Sequence, residues 1–293
     1  MRRLAISLAA LALGVAMAAA VGGGEAKSPD KKPLRILFVG NSYTYVNMLQ
    51  RLIPALIESQ GRKVEIGEFL AGGRSLKSQW TDNLGTAPAP APADEKAPKD
   101  EKAEKAAKDA AGRKGQLDKL LNEKGPWNFV VLQGQSRDPL DGEKWEFHKY
   151  AGLFVEKIRK AQPDAKIIFY LTWARQHLPE EQATITKAYL EVARQHNTLV
   201  APVGEAWKEA FAARKDLVLH ASDKSHPNPM GTYLAGCVFY ATITGKTPVG
   251  LPAKIEGLKS GSGLTFDLKP EDAKFFQEIA WKTVERVKAE AAR

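Results

Sequence analysis

A serine, an aspartate and a histidine are the residues of this sequence whose types and spacing could do chemistry together. Ser42 comes directly after a run of apolar residues, and Asp223 and His226 are three residues apart in a loop that contains two prolines. An aspartate at that spacing can hold one imidazole nitrogen, which leaves the other free to accept a proton from a serine hydroxyl. We therefore predict Ser42 as a nucleophile, His226 as its general base and Asp223 as the residue that orients the base.

These residues also have ordinary structural explanations. Ser42 fits a helix N-cap, a position that serine often occupies, and a lone Asp-x-x-His is a weak signal. His220 is a rival base, although it has no aspartate three residues before it and no proline-containing loop after it. His148, His177 and His196 lie in or beside polar stretches, where we expect solvated side chains. No cluster has the spacing of metal ligands, so we predict no metal and no cofactor.

A serine nucleophile that attacks a carbonyl group also requires hydrogen-bond donors for the oxyanion that forms. The sequence offers such donors after two further apolar runs. Gly73 lies in an Ala-Gly-Gly-Arg segment, and Gln135 follows the apolar residues 128–133. We predict that the backbone N–H groups of Ser42 and Gly73 and the side-chain amide of Gln135 form an oxyanion hole. The alternatives are a plain tight turn at the glycines and a solvent-facing loop at Gln135.

Alternating apolar runs and amphipathic stretches are the elements that would position these residues. The apolar runs are 35–40, 64–70, 128–133, 167–172 and 199–203. The helical patterns are 48–60, 116–123, 147–161, 180–196, 233–242 and 271–292. This alternation predicts a three-layer α/β/α fold with an open sheet of about five parallel strands. Ligands of such sheets bind at the carboxyl ends of the strands, where all the candidates fall.

Trp173 and Arg175 follow the fourth apolar run, so they should reach the same edge of the sheet. An aromatic ring and a guanidinium there could stack on and hydrogen-bond a sugar, and we predict them as substrate-binding residues. A packed tryptophan with a solvated arginine is the alternative. Neither glycine-rich segment has the spacing of a dinucleotide loop or a P-loop.

Two segments are expected to lie outside the folded domain. Residues 1–26 combine a basic start, an Ala/Leu-rich run and small residues, which predicts a signal peptide and export to the periplasm or beyond. An uncleaved membrane anchor is the alternative. Residues 86–115 contain Ala-Pro repeats followed by Lys, Glu, Asp and Ala, which predicts a low-complexity insertion in a surface loop. One α/β domain over 34–293 would contain the rest.

The remaining composition excludes several classes of function. The formal net charge is +9, but basic residues are scattered among acidic ones, so we expect no nucleic-acid partner. The single cysteine, Cys237, cannot form an internal disulfide and lies in an apolar run, so we expect it to be buried. We also expect a monomer with no stable membrane association once the signal peptide is removed.

These residues resemble the motifs of the SGNH/GDSL hydrolase superfamily from Leu34 to Gly245. Gly40-Asn41-Ser42 is similar to the first motif, with Asn where Asp is common, and Asp223-x-x-His226 is similar to the last. Gly73 resembles the glycine of the second motif. The third motif departs, since Gln135 stands at the usual asparagine position. The resemblance implies a flavodoxin-like sheet and a serine esterase or carbohydrate O-acetylesterase. A catalytically inactive saccharide-binding or scaffold protein with the same fold is the rival hypothesis.

Overall fold

The protein is described by a computed structural model that covers residues 32–86, 107–140, 144–258 and 264–291. Residues 32–293 form one compact unit. The predicted signal peptide, residues 1–26, lies outside the described residues and stays a prediction. Within the described ranges, no helix is both long enough and apolar enough to cross a bilayer.

Five parallel strands form the central sheet, which confirms the predicted fold class. The strands are β1 (Leu34–Gly40), β2 (Val64–Leu70), β3 (Phe129–Leu132), β4 (Lys166–Tyr170) and β5 (Leu199–Ala201). Their order is β2-β1-β3-β4-β5, and each neighbouring pair is parallel. The chain leaves β1 toward β2 on one side and returns to β3 on the other. The carboxyl ends of β1 and β3 therefore flank the switch point, where such sheets bind ligands.

Helices cover both faces of the sheet. They are α1 (Ser42–Tyr45), α2 (Leu49–Glu58), α3 (Leu76–Leu84), α4 (Gln116–Glu123), α5 (Lys144–Ala161), α6 (Glu181–Gln195), α7 (Val203–Ala213), α8 (Pro229–Thr244) and α9 (Pro270–Ala291). A 3₁₀ turn, Val46–Met48, joins α1 to α2. The antiparallel pair β6 (Lys254–Leu258) and β7 (Leu264–Asp267) follows α8.

The residues of β1 show why the apolar runs form central strands. Leu34, Ile36 and Phe38 pack into one hydrophobic cluster, while Leu37 and Val39 pack into the other. Successive side chains of a strand point to opposite faces, so a strand covered on both faces must be apolar throughout.

Helices α3 and α7 and strands β6 and β7 were not predicted from the sequence. Helix α3 has a weak apolar stripe, and three of its buried residues are polar, namely Gln79, Asp82 and Asn83. Polar groups of this kind are buried only where tertiary partners receive them. Periodicity alone therefore gave no signal for this helix.

The predicted boundary of the solvated insertion, residues 86–115, is wrong at its carboxyl end. Residues 87–106 lie outside the described ranges, but residues 107–115 pack against the domain. Ala110 and Arg113 are buried there. The Arg113 guanidinium lies over the Phe69 ring, 3.8 Å from its centroid, and donates to the Leu70 carbonyl at 3.0 Å. Arg113 therefore buries both its aliphatic stem and its guanidinium against β2. The amino-acid composition of this segment could not predict such a contact.

Candidate active site

Ser42 is held at the end of β1 by a tight turn into α1. Asn41 is the N-cap of that helix, and its side-chain oxygen accepts from the Tyr43 N–H at 3.1 Å. Ser42 is thus the first helical residue, where free N–H groups favour negative charge. A Cβ at Gly40 would lie 2.7 Å from the Thr44 hydroxyl and 2.8 Å from the Gln133 amide oxygen, so only glycine fits before the turn.

The structure brings Ser42, His226 and Asp223 together although the sequence separates the first two widely. The His226 Nε2 lies 2.8 Å from the Ser42 Oγ, and its Nδ1 is hydrogen-bonded to the Asp223 carboxylate. The other carboxylate oxygen accepts from the backbone N–H groups of Ser225 and His226 at 3.0 and 2.9 Å. This chain of contacts has the geometry of a nucleophile, a general base and an orienting acid.

The charge on Asp223 is well stabilised. Partial burial acts to raise its pKa, but the hydrogen bonds from the His226 side chain and from the Ser225 and His226 N–H groups outweigh this effect and lower the pKa to about 2. Asp223 is therefore ionised at neutral pH. A carboxylate on Nδ1 keeps the proton there, which leaves Nε2 as the acceptor that faces Ser42.

Three contacts fix the loop that carries His226. The Tyr43 hydroxyl lies 2.7 Å from the Ser225 Oγ, and the Trp173 indole N–H donates to the Ser225 carbonyl at 2.9 Å. The Asn47 amide donates to the Pro227 carbonyl at 2.8 Å. Asn47 has a φ of 52°, a left-handed conformation that asparagine tolerates better than most residues. The loop is thereby attached to the same segment that presents Ser42.

The prediction that Trp173 stacks on a substrate is wrong. Trp173 is buried, and its ring lies between Tyr43 and Trp207 with ring centroids 4.6 and 4.0 Å away and both pairs nearly parallel. Both faces of the indole are covered, so no sugar can stack on it. Trp173 instead packs against Tyr43 and holds the loop at Ser225. This agrees with the alternative interpretation of Trp173 as a packed residue.

Backbone donors lie where the oxyanion hole was predicted. Gly73 is exposed after β2, with a φ of 67°, and a Cβ there would meet nothing within 4 Å. The positive φ, rather than a lack of room for a side chain, is thus the reason why glycine suits this position. Within the described part of the chain, the N–H groups of Ser42 and Gly73 donate no hydrogen bond, so both are available to a ligand.

Gln135 is only partly consistent with its predicted role. Its amide oxygen accepts from the Arg137 N–H at 2.6 Å, which ties one end of the side chain into a local turn. The NH₂ end makes no hydrogen bond with a described residue. The side chain therefore still carries free donors, but the structure does not hold them against another group.

The neighbouring Gln133 has a structural role that the sequence analysis missed. It is fully buried, and its amide oxygen accepts from the Asn41 N–H at 2.8 Å and the Thr44 hydroxyl at 3.0 Å. Its amide nitrogen donates to the Asn41 side-chain oxygen at 2.8 Å and to the Gly134 carbonyl. A polar residue at the end of an otherwise apolar strand was the available signal.

Asn41 joins the loops after three strands. Its amide nitrogen donates to the Arg74 carbonyl after β2 at 2.9 Å and to the Gly134 carbonyl after β3 at 3.3 Å. A carboxylate could donate neither bond. The Asn that replaces the common Asp is therefore suited to this chain, and it sets the spacing between the Ser42 and Gly73 backbones.

A buried ion network supports the Gly73 loop from behind. The Asp82 carboxylate is 1% exposed and lies 3.2 Å from the Nε atoms of both Arg74 and Arg113. Burial lowers the pKa of Arg113, while the charge of Asp82 acts in the opposite direction. Arg74 belongs to the loop after β2, so Asp82 links that loop to α3 and to the end of the segment predicted as an insertion.

The other predicted groups have different surroundings. His220 is buried, and its Nε2 lies 3.0 Å from the Ala174 carbonyl, so it is not the base for Ser42. Burial lowers its pKa. Arg175 is half-buried, with its Nη2 3.5 Å from the Ser136 hydroxyl. Among the described residues, no group of three His, Cys, Asp or Glu side chains could hold a metal ion.

Comparisons with known proteins agree with this architecture. The structure is similar to a DUF4886 family protein from Bacteroides uniformis, with a TM-score of 0.61, 18% identity, and coverage of 87% of this chain and 95% of the other. It is also similar to a carbohydrate esterase family 3 protein from Talaromyces cellulolyticus, with a TM-score of 0.52, 12% identity, and coverage of 72% and 97%.

A third similar structure is LAE5, an alpha/beta hydrolase enzyme from the metagenome of Lake Arreo, with a TM-score of 0.50, 12% identity, and coverage of 72% and 95%. No protein-family model and no curated protein matches the sequence. At these identities the likeness shows the fold alone, a three-layer α/β/α architecture, which agrees with the fold class that the sequence predicted.

Proposed function

We propose that this chain is an exported serine esterase that cleaves a small acyl group, such as acetyl, from a saccharide. The observation that carries the proposal is the 2.8 Å contact between the Ser42 Oγ and the His226 Nε2, with an ionised carboxylate on the other imidazole nitrogen. The chemistry needs only side chains and backbone amides, so it requires no cofactor.

The proposed reaction has two steps. The Ser42 Oγ attacks the ester carbonyl while His226 accepts its proton, and His226 then gives that proton to the leaving alcohol. Asp223 stabilises the imidazolium. The N–H groups of Ser42 and Gly73, with the Gln135 NH₂ group, bind the oxyanion. Water then hydrolyses the acyl-enzyme by the reverse sequence, which frees Ser42.

The substrate class rests on two weaker observations. The leader-like residues 1–26 favour export, where polysaccharides are available. One protein of similar structure, from Talaromyces cellulolyticus, is a carbohydrate esterase. We propose that the mature protein acts as a monomer, with no nucleic-acid partner and no stable membrane association.

The test is fluorophosphonate labelling together with hydrolysis of p-nitrophenyl acetate and acetylated xylan. Wild type should label at one serine and release acetate. Ser42→Ala should neither label nor turn over, apart from residual oxyanion effects. Ser59→Ala is the matched control. That exposed serine donates to the Leu56 carbonyl at the carboxyl end of α2, whereas Ser42 precedes the amino end of that helix.

A catalytically inactive saccharide-binding protein is the second candidate, and the turn formed by Gln135 and Arg137 favours it. In that case an oxyanion donor would be weak or absent. Absence of labelling in wild type, with retained binding of xylan, would replace the esterase proposal by this one. Labelling that persists in Ser42→Ala would refute both the nucleophile and the mechanism.

A further inference from the structure

Arg175 differs from the other arginines at this edge of the sheet because it has no counter-ion. Arg74 is paired with Asp82 at 3.2 Å, and Arg137 is paired with Glu181 at 2.6 Å. Arg175 forms no ion pair with any described residue, and the only hydrogen bond of its side chain to one is the long contact with Ser136. Its Nε is buried and has no partner. A half-buried cation without a counter-ion is unfavourable unless a ligand supplies the charge.

Arg175 lies within electrostatic range of Tyr43, the residue that follows the proposed nucleophile. It contacts Ser136 in the loop after β3, and burial raises the pKa of Tyr43 while the nearby charge of Arg175 partly offsets that effect. Tyr43 directly follows Ser42 and contacts the edge of the His226 ring, with centroids 5.5 Å apart. The guanidinium is thus within electrostatic range of the residue beside the reacting serine.

A cavity of about 420 Å³ extends from Arg175 along the loop that leads to His226. Its walls combine apolar surface from Phe211, Leu217 and Val218 with polar side chains. Arg175, Lys208 and Lys215 line it, and no acidic residue does. Lys208 is paired with Glu205 at 3.6 Å, so Arg175 is the partly buried cation that remains without a partner among these three. A cavity of this size and charge suits an organic anion.

We propose that Arg175 and this cavity bind an anionic group, such as a carboxylate, on the ester substrate. The inference deepens the proposed function and depends on it for the reacting ester, since the anion would be held beside the Ser42 site. Guanidinium recognises carboxylate through paired N–H donors, and a half-buried position strengthens the contact. The substrate is then an acidic ester, for example an acetylated saccharide that carries a carboxylate.

The experiment compares acetyl esters that differ in charge alone. The anionic probes are 4-acetoxybenzoate and 3-acetoxybenzoate, and the neutral probes are the corresponding acetoxybenzamides. The measured quantity is the ratio of kcat/KM for the anionic ester to that for the neutral one. Intrinsic reactivity cancels when this ratio is compared between variants. Arg175→Met should lower the ratio by about 10- to 100-fold, the range expected for a charge-assisted contact.

Two further variants separate recognition from structure and from net charge. Arg175→Lys keeps the charge but loses the planar donor pair, so it should restore part of the ratio. Arg137→Gln removes one positive charge at the same edge, where the guanidinium is already paired, and should keep the wild-type ratio. A ratio that is equal in wild type and Arg175→Met for both isomers would overturn the proposal, as would an equal fall in Arg137→Gln.

Binding measurements keep the anion site distinct from the esterase proposal. Calorimetry with 4-hydroxybenzoate is carried out on Ser42→Ala and on the same protein with Arg175→Met. Binding that requires Arg175, together with no hydrolysis of any of these esters by the wild-type protein, would sustain the anion site and refute the esterase. Hydrolysis of the neutral esters, with no effect of Arg175 on binding or on the kcat/KM ratio, would sustain the esterase and refute the anion site.

Discussion

Asn41→Asp is the change that most directly tests how the site is assembled, because it alters one atom of a buried side chain. Asn41 is 2% exposed, and its NH₂ group donates to the Arg74 and Gly134 carbonyls. An aspartate keeps the acceptor for the Tyr43 N–H but turns an oxygen toward both carbonyls. The Gly134 carbonyl keeps the hydrogen bond from the Gln133 amide, whereas the Arg74 carbonyl loses the bond from Asn41. Loss of that one buried hydrogen bond should cost about 1–3 kcal/mol of stability.

That loss corresponds to a fall in Tm of about 2–12 °C for a domain of this size. Burial and the two facing carbonyls should raise the pKa of the new carboxyl in the folded state. Between the unfolded and the folded pKa, the folded state then holds more protons, so stability falls as the pH rises. The Tm deficit should be smallest near about pH 4 and larger at about pH 8.

Activity should fall as well, because Asn41 sets the spacing between the Ser42 and Gly73 backbones. A displacement of about 1 Å in a reacting geometry can cost about 100-fold in rate. The assay is kcat for p-nitrophenyl acetate beside thermal melts at several pH values. Asn41→Ala is the control, since it loses the same donors without a new charge and should show no added pH dependence. Wild-type Tm and kcat in Asn41→Asp at about pH 8 would refute the reasoning.

Three further changes test other parts of the site. Asp223→Asn should lower kcat by about 100-fold or more, because an amide cannot stabilise the imidazolium. The stabilising effect of Asp223, with its pKa of about 2, should be present above about pH 4 and lost as the pH falls toward 2, which melts of both proteins would reveal. Asp82→Asn should leave Arg74 and Arg113 without a buried carboxylate and cost about 3–5 kcal/mol, a Tm fall of about 6–20 °C; an unchanged Tm would count against the network. Trp173→Ala should cost about 3–5 kcal/mol by cavity formation, whereas a higher KM for acetylated xylan at an unchanged Tm would restore the stacking role.

The sheet was predictable because its signal is local. A strand that packs on both faces must be apolar, so β1 from Ile36 onward and β3 are visible as continuous runs. The same holds for Asp223 and His226, whose three-residue spacing lies within one loop. The position of Ser42 follows from the end of a strand and the start of a helix, both of which leave marks in the neighbouring residues.

Trp173 and Gln135 show the limits of that reasoning. Both were placed at the correct edge of the sheet, but which way a side chain turns depends on partners far away in the chain. Trp173 turns inward because Tyr43 and Trp207 supply ring faces for it. The glutamine whose amide is buried is Gln133, two residues before the predicted donor, because Asn41 offers it both a donor and an acceptor.

The sequence alone thus determined the α/β class, the order of the strands along the chain and the identity of the Ser42, Asp223 and His226 set. Tertiary structure decided which polar groups support that set. Asn41 bonds to loops more than 30 residues away, at separations of 33 and 93 residues. Arg113, in a stretch with the composition of a linker, became a buried partner of Asp82. Apolar patterning repeats within a few residues and can be read locally, whereas a buried hydrogen bond or ion pair exists only when the fold brings both partners together.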